Sequence, residues 1–354
     1  MNDFVQTLNS IAEKVGGCVM GDGGAHVRGV ASPETAGLGN ICAVWNEEDL
    51  SSISPEAYLM ASEKVFAAFP DRRGVAVTDP RDAFPLLLSL FEKKMRKQGI
   101  HPSSVVDPGA AVSPLAWVGP LCVIEEGAVV EDGAVLRARV FVGEGCVVGK
   151  ETVVEPGAVL FERVRTGRNC LIHGCAVLGA DGFGILPAKG SLPPRKIPQL
   201  GGVLLGDGVE IGACSTVDRG TLDDTVVGDF TKMDDHVHVG HNAQIGRNCI
   251  LVAMTGIAGS AVLEDNVVMA ARSGVKDHCR IGKGATVAAN GGVTKDVPPG
   301  AVVSGFPARD HRDNFRIHAL VQRLPEMMDR IKKAEDILGG QEPKLGESRK
   351  KESP

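Results

Sequence analysis

The chain has 354 residues, of which 45 are Gly and only 11 Phe, 2 Trp and 1 Tyr are aromatic, so glycine is well above the ordinary share of about 7%. Glycine does not recur at every third position, which excludes collagen, and nine Cys in so long a chain with no CxxC pair exclude a disulfide scaffold. A hydrophobic content of 43% excludes whole-chain disorder, and a net charge of -6 gives no global pull toward nucleic acid or anionic membrane.

Residues 1–17 carry Asp3 and Glu13 and lack a continuous apolar stretch, and the longest apolar run, residues 84–91, is far short of a membrane span. A soluble, cytoplasmic protein without a transmembrane segment is expected. Residues 1–100 read as an α/β domain, with helical patterns over 2–15, 55–64 and 81–98 and strand-like runs over 41–45 and 74–77.

From Val106 a period of six takes over. Stepping by six lands on Val112, Val118, Ile124, Val130, Leu136, Val142, Val148, Val154, Leu160, Thr166, Ile172 and Leu178, all aliphatic except Thr166. A second train runs Leu205, Ile211 and Val217, slips by four residues, and continues from Val227 to Val293. The fifth position of a hexad is usually small, as at Ala128, Ala134, Cys146 and Cys170.

Six does not fit a helical period of about 3.6 and fits an isolated strand poorly. It suits a prism of short parallel strands, one hexad per face, with glycines supplying backbone freedom at the corners. The predicted fold is therefore mainly β, a left-handed parallel β-helix over 101–306 with an N-terminal α/β domain and C-terminal α-helices. About nine or ten coils would stack at roughly the 4.8 Å strand spacing. Cys122, Cys146, Cys170, Cys249 and Cys279 fall at the small inward position, where Cys acts as compact filler.

Between the trains, residues 184–202 hold four prolines and read as a protruding loop. Residues 307–339 read as helices whose apolar side chains, Ile317, Leu320, Leu324, Met327, Ile331, Ala334 and Leu338, form a heptad seam, with Pro325 opening a second helix. The seam suggests oligomerisation. Residues 340–354 are polar and expected to be disordered.

The histidines carry the chemical signal. Gly259 lies eighteen residues after His241, hence one coil above it, and His278 lies two coils above and one step along. A neutral imidazole, a glycine N–H and a second imidazole on one line suit acyl transfer, with Asp234 or Asp235 available to orient His241. Histidines that merely decorate solvent-facing corners are the plainer alternative. A metal site from His236, His238 and His241 is disfavoured because neighbouring coil positions diverge, so no metal is expected. The scattered glycines of GADGFG open no helix, which argues against dinucleotide binding, and no Ser-His-Asp arrangement has motif support. Arg272, Lys276, Arg280 and Lys283 suit either an anionic partner or an ordinary solvated face.

GADGFG at 179–184, KIPQ at 196–199, IGAC at 211–214, VDRGTLDDT at 217–225, GHN at 240–242 and SGFP at 304–307 together resemble the UDP-3-O-acylglucosamine N-acyltransferase family of lipid A biosynthesis, over roughly residues 20–340. The resemblance implies a homotrimer that transfers a 3-hydroxyacyl chain from acyl carrier protein to the 2-amino group of UDP-3-O-acylglucosamine. It implies no cofactor beyond the carrier's 4'-phosphopantetheine thioester as co-substrate. It gives His241 the role of general base, Asp234 that of supporting carboxylate, Gly259 that of oxyanion donor, and His278 that of second histidine. Phe183, Lys196, Ile197 and Gln199 match substrate-contacting loops, Asn46 the uridine pocket, and Arg272, Lys276 and Arg280 a carrier-protein surface. Two departures stand out: Ala43 and Asp49 replace the aromatics expected around Asn46, and Gly292 and Thr294 replace Met side chains of the acyl groove, implying a roomier groove and a longer chain. The alternatives are O-acylation of UDP-N-acetylglucosamine and a non-catalytic β-helix scaffold.

Overall fold

A computed structural model describes residues 5–92, 97–304, 316 and 319–338. The chain divides into two compact units, residues 1–96 and 97–354.

In the first unit, Thr7 and Ser10 cap the helix Leu8–Val15 reciprocally, and Gly16, at φ 68°, ends it. A five-stranded sheet places Cys18–Met20 at one edge, antiparallel to Gly74–Ala76; Tyr58–Ala61, Asn40–Ala43 and Gly29–Val30 follow in parallel. The expected helix over 55–64 is absent: Tyr58–Ala61 is a strand and the helix is Glu63–Ala68. Leu59, Met60 and Ala61 are fully buried between two sheet partners, and that pairing outweighs local helix preference. The last helix of the unit, Pro80–Ser89, is capped by Asp79.

The second unit is a parallel β-solenoid with three faces of eleven, ten and nine strands. Successive strands fall on face I, beginning at Gly99–Ile100, face II, beginning at Val105–Val106, and face III, beginning at Ala111–Val112. Each strand pairs with the one a full coil later, as Val123–Ile124 does with Phe141–Val142. In most two-residue strands the second residue points inward, giving the aliphatic column of Val118, Ile124, Val130, Leu136 and their successors. At the one non-aliphatic step, Val164 fills the core, while Thr166 accepts the Gly149 N–H.

The small fifth position does more than fill space. Cys146 Sγ donates to Phe161 O and Cys249 Sγ to Glu264 O, one coil on, and Thr152 and Thr231 hydroxyls make the same rung. Burial pushes the Cys146 thiol up to about 11.

The role expected of the glycines needs correction. The left-handed corner residue is mostly not glycine: Asn169, Phe230, Asn242, Met254 and His278 all have φ near 60°. At several coils glycine is needed two positions earlier, just after the strand, where the next coil comes close. A Cβ on Gly212 would lie 2.3 Å from the Asp234 carbonyl carbon, and one on Gly149 2.2 Å from Gly167 O.

Residues 184–202 form a hairpin, Ile185–Leu186 against Arg195–Lys196. The described C-terminal helix Leu324–Leu338 has Pro325 in its first turn, and Leu320, Leu324, Met327 and Ile331 are exposed. Residues 305–307 of SGFP, Ile317 and residues 340–354 lie outside the described residues.

Gly212→Ala should lower unfolding free energy by about 1–3 kcal/mol through overpacking. Gly256→Ala, whose Cβ meets nothing within 4 Å, should change it by less than about 0.5 kcal/mol. Urea denaturation of the two variants measures the difference.

Candidate active site

His241 leaves face II two residues after the strand His238–Val239, at the corner toward face III. Its Nδ1 lies 3.0 Å from Asn242 Oδ1. That oxygen also accepts the Thr221 N–H at 3.0 Å, which fixes the orientation of the amide. Asn242 is itself held at φ 60° by its N–H bond to Thr225 Oγ1. An amide oxygen only accepts, so in the neutral ring Nδ1 carries the proton and Nε2 keeps its lone pair.

Nε2 faces Gly259 on the coil above, where a Cβ would sit 2.8 Å away. Gly259 occupies the first corner position of its coil. At several other coils the N–H at that position is taken by a carboxylate: Ala213 by Asp235, Arg247 by Asp265, Ala253 by Asp234 and Lys283 by Glu264. Among the described residues the Gly259 N–H has no acceptor. A position that receives anions along the prism is therefore open beside the imidazole. His278 stacks next, its N–H donating to Gly259 O at 3.3 Å, so His241, Gly259 and His278 do share one corner.

From the other side the start of the hairpin loop covers the ring. A Cβ on Gly182 would lie 2.5 Å from His241 Cβ, so this segment approaches closely only as glycine. Phe183 follows and is 87% exposed. Lys196 pairs with Asp181 across the hairpin base. Arg219 is buried, donates to Gly179 O and pairs with Glu162, whose carboxyl it holds below the ordinary range. The Ile197 N–H donates to Gly184 O. Gln199 is buried, with its amide committed to Ile197 O and the Thr221 hydroxyl, so this side chain supports the loop instead of projecting from it.

Asp234 does not orient His241 within one chain. It follows face I, at a different corner, where its oxygens accept the N–H groups of Asp235 and Ala253. The buried carboxylate next to the histidines is Asp218, 3.8 Å from His238 Nε2, while His238 Nδ1 lies 2.8 Å from Thr216 Oγ1. Burial raises the Asp218 carboxyl above its ordinary value, and His238 and then His241 oppose the shift. The four-residue slip hides this pair from eighteen-residue arithmetic. Thr216 pairs with His238, 22 residues later, so a corrected count sets Asp218 beside Gly240.

His236 sits at the face I corner, so the three closely spaced histidines diverge, and no group of three potential metal ligands occurs among the described residues. Arg272, Lys276 and Arg280 spread around one coil, on two corners and face III, and Arg280 pairs with Glu264 at 3.0 Å. Gly292 tops a strip of outward glycines in register on face II, Gly256, Gly274 and Gly292, directly above His238. Gly292 and Thr294 line a cleft of about 240 Å³. In the N-terminal unit Asn46 is exposed before the short helix Glu47–Ser52, and Asp49 accepts its N–H. Ala43 is buried, and the exposed Trp45 packs edge-on against Phe84.

No family model matches the chain. It is 40% identical over 351 residues to the UDP-3-O-acylglucosamine N-acyltransferase of Burkholderia multivorans, covering 95% of this chain and 98% of that one. It is 48% identical over 154 residues to the enzyme of the same name from Methylobacterium sp. (strain 4-46), an alignment spanning 44% of this chain and 43% of the relative. Among solved structures, the UDP-N-acetylglucosamine acyltransferase of Arabidopsis superposes with a TM-score of 0.52 at 29% identity, over 58% of this chain and 71% of that one.

The hydrogen-bond frame around His241 predicts an imidazole with its proton on Nδ1. Nitrogen-15 NMR of the neutral ring should show that tautomer predominating, and Asn242→Ala should return it toward the Nε2–H form that free imidazoles favour.

Proposed function

We propose, from the premise that this chain belongs to the UDP-3-O-acylglucosamine N-acyltransferase family, that it moves an acyl group from an acyl carrier protein thioester to the glucosamine 2-amino group of UDP-3-O-acylglucosamine. The observation that carries this reading is the open Gly259 N–H beside the bare Nε2 of His241.

In this reading the amine nitrogen attacks the thioester carbonyl while His241 Nε2 takes its proton. The carbonyl oxygen becomes an oxyanion facing the Gly259 N–H. Collapse breaks the C–S bond, and the departing thiolate takes the proton back from His241, leaving an amide and a thiol. General base assistance of this kind is worth about 10²–10⁴ in rate, and one oxyanion donor about 10²–10³. His278, one step up the corner, is assigned to the substrate beyond the oxyanion.

Phe183 and Lys196 belong to the hairpin that covers His241, and they are assigned to substrate contact; Ile197 and Gln199 hold that hairpin in shape. Asn46 is assigned to the uridine. The aromatic face for uracil does not come from Ala43, which is buried, nor from Asp49. The glycine strip of face II leads from His238 toward Gly292 and Thr294 and gives an acyl chain a path free of side chains. The 3-hydroxyacyl donor, a cytoplasmic setting and carrier-protein docking at Arg272 and Lys276 follow from the same family reading; Arg280 contributes less because Glu264 neutralises it. No resident cofactor enters. The exposed apolar seam of the C-terminal helix supports a homotrimer, and no described helix is long and apolar enough to cross a membrane.

Mass spectrometry of the products from carrier-protein thioesters of several lengths tests the reaction. Wild type should form the N-acylated nucleotide sugar, and His241→Ala should lose at least about 100-fold in turnover with its oligomeric state intact. Absence of product from wild type overturns the proposal. Gly292→Met should cut turnover of long donors more than short ones, and an unchanged ratio would remove the face II groove from the mechanism.

A further inference from the structure

The reaction above leaves one feature of the corner unused, the buried carboxylate of Asp218. Family membership does not assign it, and the carboxylate expected to support His241 is bound to backbone N–H groups at another corner. Asp218 is 8% exposed. It follows Val217, which pairs with Val239, so along face II it lies beside Gly240, between His238 and His241.

Its surroundings contain few other charges. Asp181 is the remaining charged group acting on it; Asp181 is paired with Lys196 and Arg219, and the Arg219 guanidinium also binds Gly179 O and Glu162. His238 approaches from the neighbouring strand with Nε2 at 3.8 Å, its other nitrogen held by Thr216. The His238 side chain is 54% exposed.

We propose that Asp218 is the positioning carboxylate for the His241 base, and that the exposed His238 competes with His241 for it. Resting on the acyl-transfer reading, the proposal follows from charge alone. When His241 holds the amine proton, its imidazolium gains from an anion in a site where water is scarce. When His238 is protonated it draws on the same carboxylate and repels a second cation, so His241 holds a proton less readily. Asp218 never touches the substrate in this scheme; it acts through the two rings.

Two isosteric substitutions should then move the acid limb of activity in opposite directions. With Asp218→Asn, the imidazolium loses its anionic neighbour and releases its proton at lower pH. The acid limb of kcat/KM for carrier-protein thioester and UDP-3-O-acylglucosamine should shift down by about half a pH unit or more, with a lower plateau. With His238→Gln, Asp218 serves His241 alone and the limb should shift up. The double variant should follow Asp218→Asn, and Asp218→Glu, which restores the charge, should return the limb toward its original place.

Limbs that stay still, or that move the same way in both single variants, overturn the proposal. A role confined to packing would lower activity at every pH without moving the limb. If Asp218→Asn loses its thermal unfolding transition, the exposed His238→Gln substitution decides the matter alone. Wild type that forms no product at any pH would instead defeat the acyl-transfer reading.

Discussion

The structure depends on how closely one coil lies on the next. Parallel strand pairing sets that distance at about 4.8 Å, and every side chain between two coils must fit within it. At several coils the position just after the strand is the tightest, as at Gly149 and Gly212, which would drive a Cβ into the backbone above. The inward positions alternate one branched aliphatic with one small residue, and the small residue often carries an S–H or O–H that ties to the next coil. Aromatic rings do not fit this spacing in the core, which accounts for their scarcity better than any feature of surface or solubility.

The same stacking produces the site. A prism corner repeats one N–H at each coil on each edge, and carboxylates from neighbouring coils occupy many of them. That arrangement is structural where the carboxylate is present and leaves the N–H open at Gly259. At Gly259 no side chain fills the place, the imidazole of the coil below points at it, and the hairpin base closes the other side through Gly182. Little backbone strain specific to the site is required, because the left-handed φ of Asn242 is shared by corner residues throughout the prism. Asn242 differs from them in its side chain, which holds the His241 proton on Nδ1, and the Thr221 and Thr225 contacts that hold Asn242 come from the segment lengthened by the four-residue slip.

Much of this was legible from periodicity. Hexads placed the inward residues, and eighteen-residue steps placed His241, Gly259 and His278 on one corner. Periodicity failed where its period changed. The slip before Val227 concealed Asp218 and His238, although the segment containing Asp218 was conspicuous as a motif. It also failed where a side chain had two uses: Asp234 is near His241 in sequence but spends its oxygens on Asp235 and Ala253, and Gln199 turns inward to Thr221. In the N-terminal unit, residues 58–61 read as helix because local preference does not record the two strands that flank them.

The sequence by itself determined the solenoid, its core column and the corner on which the histidine and glycine meet, because a rigid repeat turns sequence separation into position. Tertiary structure alone decided which carboxylate lies beside His238, which amide orients His241, that the Gly259 N–H stays open, and why glycine follows several strands. Those outcomes depend on contacts across coils of unequal length and on competition among several acceptors for the same N–H, and neither is encoded in any one hexad.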